Sequence, residues 1–269
     1  GSVEKLEKKE NNTLQSVITR QDISTLEGIQ PKPRENKEYT KNINLPKEKG
    51  IDFERVKNGE MSLDEFVSAL PTNVLVDLIG GQPNRGVANT FGFGNQEDYG
   101  IPSVMTADGP AGLRVNSDTG IFTTAWPCAT AMASSWNEEL VEEVGRAGGM
   151  EVKENGIGLW LTPAVNIHRT PLCGRNFEYY SEDPILAGKL ASSMVRGIES
   201  NGVGACVKHF ALNNKETNRK ESDSRVSERA MREIYLRQFE IIVKEAKPVS
   251  VMSSYNIING IKASENKAL

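Results

Sequence analysis

The chain has 269 residues, of which 38% are hydrophobic and 25% charged, and its net charge is −4. This length and composition are typical of a folded chain with a sizeable core or one barrel. The charge leaves no basic footprint for nucleic acid, and no apolar run approaches the ~20 residues that span a membrane. We therefore expect neither nucleic acid nor a membrane as a partner.

The first part of the chain is poor in apolar side chains. Residues 1–60 are rich in Lys, Glu and Asn, with scattered prolines, which predicts an extended linker or connector. Ser62 is a suitable N-cap for a helix that Pro71 ends, and a second short helix is predicted over 72–79. We therefore place the start of the folded domain, 61–269, at this point.

Predicted strands alternate with predicted helices from residue 101 onward. The helices begin at Asn137, Asp183 and Ser227, each of which is a favourable N-cap. This order predicts parallel pairing with right-handed crossovers, and a fold of the α/β class. A (β/α)8 barrel needs ~250 residues, so the segment corresponds to the first half of one. Residues 264–269 are predicted to open a further helix. The predicted strands cover 101–107, 158–165, 205–208 and 250–254.

The cysteines do not indicate a disulfide framework or a metal site. Cys128, Cys173 and Cys206 are odd in number and lack a C-x-x-C spacing, which predicts unpaired thiols. We expect no metal and no cofactor. No signal peptide is recognisable, and Gly1-Ser2 is typical of a cloning remnant, so we expect the natural N-terminus to be missing. The sequence therefore does not determine the cellular compartment of the protein, although it favours the cytoplasm.

Polar side chains follow each predicted strand. Barrel enzymes place their site at the carboxyl ends of the strands, so these side chains should meet at one mouth. Each sugar hydroxyl both donates and accepts, which suits charged and amide groups, and the set therefore predicts a carbohydrate site. In strand order the residues are Asp108; Asn166, His168, Arg169 and, shortly after, Arg175; Lys208 and His209; Tyr255 and Asn256.

Each of the main candidates also has a structural interpretation. Asp108 precedes Gly-Pro and could form a turn. Arg175 could pair with Glu178 or Asp183. His209 could be a core histidine, although the lysine beside it argues against this, because burying both groups is costly unless a function needs them.

Other polar residues near the predicted site are expected to be structural. Glu216 and Arg219 are predicted to hold their loop together as an ion pair, and His168 is expected to be a loop residue. Met252 lies in the fourth predicted strand and would be a core residue in most proteins.

Five ordered segments carry a resemblance to a known family: DGPAGLR (108–114), CGRNFEYYSEDP (173–184), KHFALNNKETNR (208–219), SERAMREIYLRQFE (227–240) and SVMSSYN (250–256). Together they resemble glycoside hydrolase family 3, and its β-glucosidase branch in particular, over most of the chain from residue 61. The resemblance implies that Asp108, Arg175, Lys208 and His209 bind the glucose in the −1 subsite. It also implies that Met252 and Tyr255 line this pocket, with Tyr255 close to the nucleophile.

The resemblance further implies a retaining mechanism, in which two carboxylates stand about 5 Å apart. The family's nucleophile is an Asp in a Ser-Asp-Trp-like motif, and this chain contains no such motif. We expect the nucleophile beyond Leu269 and the acid/base Glu outside the chain as well. The expected partners are a β-glucoside or cello-oligosaccharide substrate and a complementary polypeptide with the rest of the barrel and an α/β sandwich domain. Without that polypeptide we expect the chain to be inactive.

Two local features narrow the branch that the resemblance implies. The family's β-N-acetylglucosaminidases carry a Gly-rich His loop where this chain has residues 211–214, so that branch is disfavoured. Asp108-Gly109-Pro110 favours glucose over xylose, because the xylosidases usually replace this element with a Glu-containing one. Residues 18–31 resemble the connector of members with reversed domain order.

Other functions stay open at the level of the sequence. A barrel aldolase would use Lys208 as a Schiff base, which requires a desolvated lysine and a phosphate-binding loop in later strands. The second alternative is not an enzyme: a non-catalytic fragment that binds sugar or has a purely structural role. A β-xylosidase of the same family is the third alternative.

Overall fold

The computed structural model describes residues 2–8, 14–20 and 50–269. The first two segments form strands β1 (Ser2–Lys8) and β2 (Leu14–Arg20), which pair antiparallel with Ser2 opposite Arg20. The region predicted as an extended linker therefore contains a strand pair. The β-branched residues of Leu-Gln-Ser-Val-Ile-Thr-Arg favour a strand, a signal that the charge-rich composition masked. Residues 1, 9–13 and 21–49 lie outside the described residues, and with them most of the predicted connector, 18–31.

A small helical unit precedes the main sheet. It consists of α1 (Phe53–Lys57), α2 (Leu63–Ala69) and α3 (Thr72–Gly80). The predicted cap is confirmed, since the Ser62 side chain accepts from Glu65 N and the Glu65 carboxylate accepts from Ser62 N. Packed structure begins before residue 61, because an apolar cluster joins the three helices: Ile51, Phe66, Leu70, Val74 and Tyr99.

The remaining strands and helices follow in alternation. The strands are β3 (Phe93–Gln96), β4 (Ile101–Val104), β5 (Thr106–Ala107), β6 (Leu159–Trp160), β7 (Gly204–Phe210), β8 (Asp223–Ser224), β9 (Ser250–Ser253), β10 (Ile257–Ile258) and β11 (Ile261–Lys262). The helices are α4 (Ala129–Ala133), α5 (Glu138–Glu154), α6 (Pro184–Glu199), α7 (Glu228–Ala230) and α8 (Arg237–Glu245), with a π-helical segment, Met231–Tyr235, between the last two.

The main sheet has the order β5-β6-β7-β9, and every neighbouring pair is parallel. The predicted α/β fold, a partial (β/α)8 barrel of parallel strands, is confirmed. The strand predicted over 101–107 is divided, because β4 pairs antiparallel with β3 and only β5 joins the main sheet. The second strand is shorter than predicted, because Pro163 has no N–H to donate to the ladder; pairing returns at a single bridge between Ala164 and Lys208.

Helices α5 and α6 cover one face of the sheet. Their predicted N-caps are confirmed: the Asn137 side chain accepts from Leu140 N, and that of Asp183 accepts from Ile185 N and Leu186 N. The two helices approach closely where Gly197 lies, since a Cβ there would stand 2.2 Å from the Glu142 carbonyl oxygen. The core between helices and sheet is dominated by buried apolar side chains such as Trp160, Leu190, Met194, Val207 and Phe239.

A second small sheet lies at the C-terminal part of the chain. Strand β10 pairs parallel with β8 and antiparallel with β11. The prediction of a helix over 264–269 is wrong: a 3-10 turn, Ala263–Glu265, follows β11 instead. Ser264 lies inside this turn, where Asn266 N donates to the Ala263 carbonyl, so the backbone follows i→i+3 bonding instead of that of an α-helix. Within the described part of the chain, no helix combines the length and apolar character needed to cross a bilayer.

Candidate active site

The site is centred on an ion pair between the ends of β5 and β7, the two strands that flank β6. Asp108 directly follows β5, and Lys208 lies near the carboxyl end of β7. Lys208 Nζ lies 2.5 Å from Asp108 Oδ1. The lysine side chain is only 2% exposed and that of the aspartate 34%. A buried ammonium needs such a partner, because leaving it unpaired away from water is costly.

A second carboxylate, that of Glu178, lies near the same lysine. Glu178 ends the 3-10 turn Asn176–Glu178 in the loop after β6, and its side chain is 2% exposed. Its Oε2 lies 4.0 Å from Lys208 Nζ, and its Oε1 accepts a hydrogen bond from Arg175 Nε. The pairing of Arg175 with Glu178 is thus one of the two structural alternatives that the sequence left open.

Further ion pairs extend this arrangement in both directions. Arg114 Nη1 lies 3.9 Å from Asp108 Oδ2, and Arg175 Nη1 lies 3.9 Å from Glu216 Oε1. The predicted ion pair between Glu216 and Arg219 is confirmed, with 3.4 Å between Oε2 and Nη1. The result is a row of alternating charges, here called the charge network: Arg114, Asp108, Lys208, Glu178, Arg175, Glu216 and Arg219.

The network determines the charge state of Asp108. Burial by itself would raise the pKa of this carboxyl, but the Lys208 ammonium, its hydrogen bond and the nearby Arg114 outweigh burial and hold the pKa below its ordinary value. Asp108 is therefore an ionised, acceptor-only group at neutral pH, and a sugar hydroxyl near it would have to donate.

His209 is buried beside the network and is uncharged. Burial, and then the positive charges of Arg175, Lys208 and Arg219, lower its pKa to about 2. Its Nδ1 is buried and has no hydrogen-bond partner among the described residues. A neutral ring with one unengaged nitrogen can exchange a hydrogen bond with a neutral hydroxyl.

Two of the polar residues predicted after β6, Asn166 and His168, have structural roles. Asn166 Nδ2 donates to the His209 carbonyl at 3.0 Å, and its Oδ1 accepts from His209 N at 3.0 Å, so Asn166 holds the backbone of β7. His168 is a loop residue, as expected, and its Nε2 lies within 3.0 Å of the carbonyl oxygens of Asn176 and Tyr179.

The two candidates on the fourth strand lie at the margin. Met252 is in register with Lys208 and packs against an apolar cluster that includes Leu161 and Cys206. Tyr255 is 60% exposed, and its ring centroid lies 5.3 Å from Arg219 Cζ. The structure thus brings Asp108, Arg175, Lys208 and His209 together around the network, with Met252 alongside and Tyr255 reached only through Arg219.

Sequence reasoning missed how central Glu178 is. The residue stands in a run, 173–184, whose charged side chains were visible, but nothing local shows that this loop folds back onto β7. The reasoning also missed Tyr179 and Asn213, which join the loops after β6 and β7: Tyr179 Oη donates to the Asn213 carbonyl at 3.1 Å, and Asn213 Nδ2 lies 3.4 Å from Glu216 Oε1. Burial raises the pKa of Tyr179, so its hydroxyl remains a neutral donor.

A cavity of about 510 Å³ lies next to the network. Glu216 belongs to both, and the other polar side chains of its lining include Arg169, Lys215, Asp223 and Arg225. In the described residues, no group of three or more His, Cys, Asp or Glu side chains is placed to hold a metal ion. The three cysteines are free thiols.

Parallel strands covered by helices, with charged groups gathered at the strand ends, define the (β/α)8 barrel class of fold, of which this chain contains a part. Residues 85–269 match the family profile described as Glycosyl hydrolase family 3 N terminal domain. The chain belongs to glycosyl hydrolase family 3. It is 59% identical over 217 residues to Beta-glucosidase A of Butyrivibrio fibrisolvens, which covers 81% of this chain and 26% of that protein.

Solved structures give the same assignment. The β-glucosidase 3B of Thermotoga neapolitana in complex with glucose matches at a TM-score of 0.71 and 51% identity, over 75% of this chain and 30% of that one. A β-glucosidase of Paenibacillus barengoltzii matches over 100% of this chain and 30% of its own, with a TM-score of 0.81 and 39% identity. The chain therefore spans between a quarter and a third of the length of these proteins.

Proposed function

We propose that the chain supplies the sugar-binding part of a β-glucosidase that removes terminal non-reducing β-D-glucose from β-glucosides or cello-oligosaccharides. The observation that carries the proposal is the Lys208–Asp108 ion pair between the ends of β7 and β5, with Arg175 joined to it through Glu178. The similarity to proteins named β-glucosidase, one of them solved with glucose, supports the choice of sugar.

The proposed sugar site combines acceptors and donors. Asp108 accepts from hydroxyls, whereas Lys208 and Arg175 donate to them, so a ring with several hydroxyls can satisfy both sides at once. His209 offers a neutral ring, and Met252 with Tyr255 forms the wall on the side of β9. In this proposal residues 61–269 are the barrel part of the enzyme and residues 1–60 the connector.

We further propose a retaining mechanism whose nucleophile and acid/base belong to a complementary polypeptide. Glu178 is too deeply buried to attack a sugar, and Asp183 is engaged as the cap of α6. Asp108 is partly exposed but committed to Lys208. Binding groups of this kind raise the rate only if their contacts strengthen as charge develops in the transition state.

Two alternatives differ from this proposal in a specific way. A Schiff-base aldolase needs a free lysine amine in an apolar pocket, whereas Lys208 is engaged by carboxylates on two sides. A non-catalytic sugar-binding fragment is favoured by one observation, that every carboxylate of the network is already paired with a cation.

The test is hydrolysis of an aryl β-glucoside by the chain, with and without the complementary polypeptide, and with an aryl β-xyloside in parallel. We expect glucoside hydrolysis only after complementation. Sugar binding without hydrolysis by the complemented protein would favour the non-catalytic alternative, and preference for the xyloside would favour a β-xylosidase. Hydrolysis by the chain alone would contradict the placement of the nucleophile and direct attention to Asp108.

A further inference from the structure

We propose that Glu178 is a positioning residue for the sugar site: it holds Lys208 and Arg175 in place without touching the substrate. This inference rests on the proposed function and deepens it. The two carboxylate oxygens of Glu178 face two different cations. Oε1 accepts from Arg175 Nε, and Oε2 faces Lys208 Nζ at 4.0 Å. One carboxylate thus connects the loop after β6 to the central strand β7.

The exposure of the side chains along the charge network limits which groups a ligand can reach. Glu178 and Lys208 are 2% exposed, Arg175 is 19%, Glu216 is 28% and Asp108 is 34%. Burial is therefore deepest at Glu178 and Lys208 and decreases outward from this pair in both directions. A ligand can reach Asp108 and the outer face of Arg175, but it cannot reach Glu178.

The negative charge of Glu178 compensates the two cations on either side of it in the charge network. The network contains four cations and three carboxylates, and Glu178 is the only one of these carboxylates that lies between Lys208 and Arg175. Without its charge, Lys208 would be held by Asp108 alone, and Arg175 would be drawn to Glu216. Asp108 and Glu216 would then each bind their cation more closely. Lys208 and Arg175, which donate to sugar hydroxyls in the proposed site, would move as a result.

The test uses the chain itself and measures the affinity for D-glucose and for four analogues that each lack one hydroxyl, by NMR titration. The variant is Glu178→Gln, which keeps the shape and removes the charge. The matched control is Glu182→Gln, four positions further along the same loop, because Glu182 is exposed and makes no ion pair in the described part of the chain. Backbone amide spectra of each variant establish that it is folded.

We expect Glu178→Gln to weaken glucose binding about tenfold or more, since hydrogen bonds to charged groups are worth roughly that factor. In the unmodified chain, an analogue that lacks a hydroxyl in contact with Lys208 or Arg175 should bind more weakly than D-glucose. We expect this difference in affinity to be smaller in Glu178→Gln. The Arg175 Nε–H resonance should shift in the same variant without ligand. The control should match the unmodified chain in all three measurements.

The inference is overturned if Glu178→Gln retains the affinity and the hydroxyl profile of the unmodified chain, or if the control shows the same loss. If Glu178→Gln does not fold, Glu178→Asp takes its place: it keeps the charge but is one methylene shorter, and an unchanged hydroxyl profile would again overturn the inference. An unmodified chain that binds no glucose would contradict the proposed function itself, and with it any role of Glu178 in sugar binding.

Discussion

Strands β7 and β9 are neighbours in one parallel sheet, yet they have very different environments. Every residue of β7 up to His209 is buried, whereas β9 alternates between half-buried and exposed positions. Strand β7 is paired on both sides, and β9 has a partner on one side only among the described residues. Burial in this sheet therefore depends on the number of neighbouring elements: Lys208 on β7 is 2% exposed, whereas Val251 on β9 is 44% exposed.

The largest expected difference in the free energy of unfolding is between substitutions of a buried lysine, Lys208, and a partly exposed one, Lys189. Lys208→Met leaves the buried Glu178 carboxylate without one of its two cations, and removing one partner of a buried pair costs about 3–5 kcal/mol. The control, Lys189→Met, breaks the partly exposed pair with Glu245 at 2.6 Å and should cost about 0–1 kcal/mol. Urea unfolding measures both, and equal losses would contradict the contrast between a buried and an exposed pair.

The next effect compares two valines that lie opposite each other in the ladder. Val207 is 0% exposed and Val251 is 44% exposed. Val207→Ala should lower the free energy of unfolding by about 2–3 kcal/mol, through lost burial and a residual cavity, and Val251→Ala by less than about 1 kcal/mol. Thermal or urea unfolding distinguishes them. Similar losses at the two positions would show that β9 is as well covered as β7 in solution.

A third prediction concerns the close contact of α5 with α6. Gly197→Ala places a methyl group 2.2 Å from the Glu142 carbonyl oxygen, and the helices must separate, at a cost of about 1–3 kcal/mol. Gly80→Ala is the matched control, since nothing lies within 4 Å of its added Cβ; this change should stabilise by about 0.4–1 kcal/mol. The prediction is refuted if the two variants have the same melting temperature.

The smallest effect is a pH dependence from His209. Its folded-state pKa is about 2, whereas an unfolded histidine has a pKa of about 6.5. Between these values the unfolded state binds the extra proton, so stability is complete above about pH 6.5 and falls as the pH decreases through this window. The slope should approach about 1.4 kcal/mol per pH unit, or about 1 kcal/mol between pH 6.5 and 5.5.

His209→Gln tests this pH dependence. Glutamine does not titrate, so urea unfolding of the variant should give a flatter profile between pH 6.5 and 5. An unchanged slope would assign the pH dependence to other groups. Below about pH 4 the unmodified chain and the variant should both lose further stability. The folded-state pKa of Asp108 is lower than its unfolded-state pKa. The stability that this carboxyl contributes above its unfolded-state pKa is therefore lost as the pH falls through its folded-state pKa.

Local patterns in the sequence predicted the repeating part of the fold. The caps at Ser62, Asn137 and Asp183 and the alternation of strands with helices are confirmed, because hydrophobic periodicity and N-cap chemistry act within a few residues. The pairing of β3 with β4 and the small sheet of β8, β10 and β11 were not predicted. These strands are two to four residues long, too short for a periodic pattern to distinguish them from loops.

The sequence by itself determined the class of fold, the family and the strand ends on which the site is built. Only the tertiary structure decided which charges pair, because the partners are distant in the chain. Lys208 and Asp108 are separated by 100 positions, and they meet because parallel strands present their carboxyl ends at one edge. Glu178 became the centre of the network for the same reason: its loop packs against β7, and burial made its charge necessary to two cations at once.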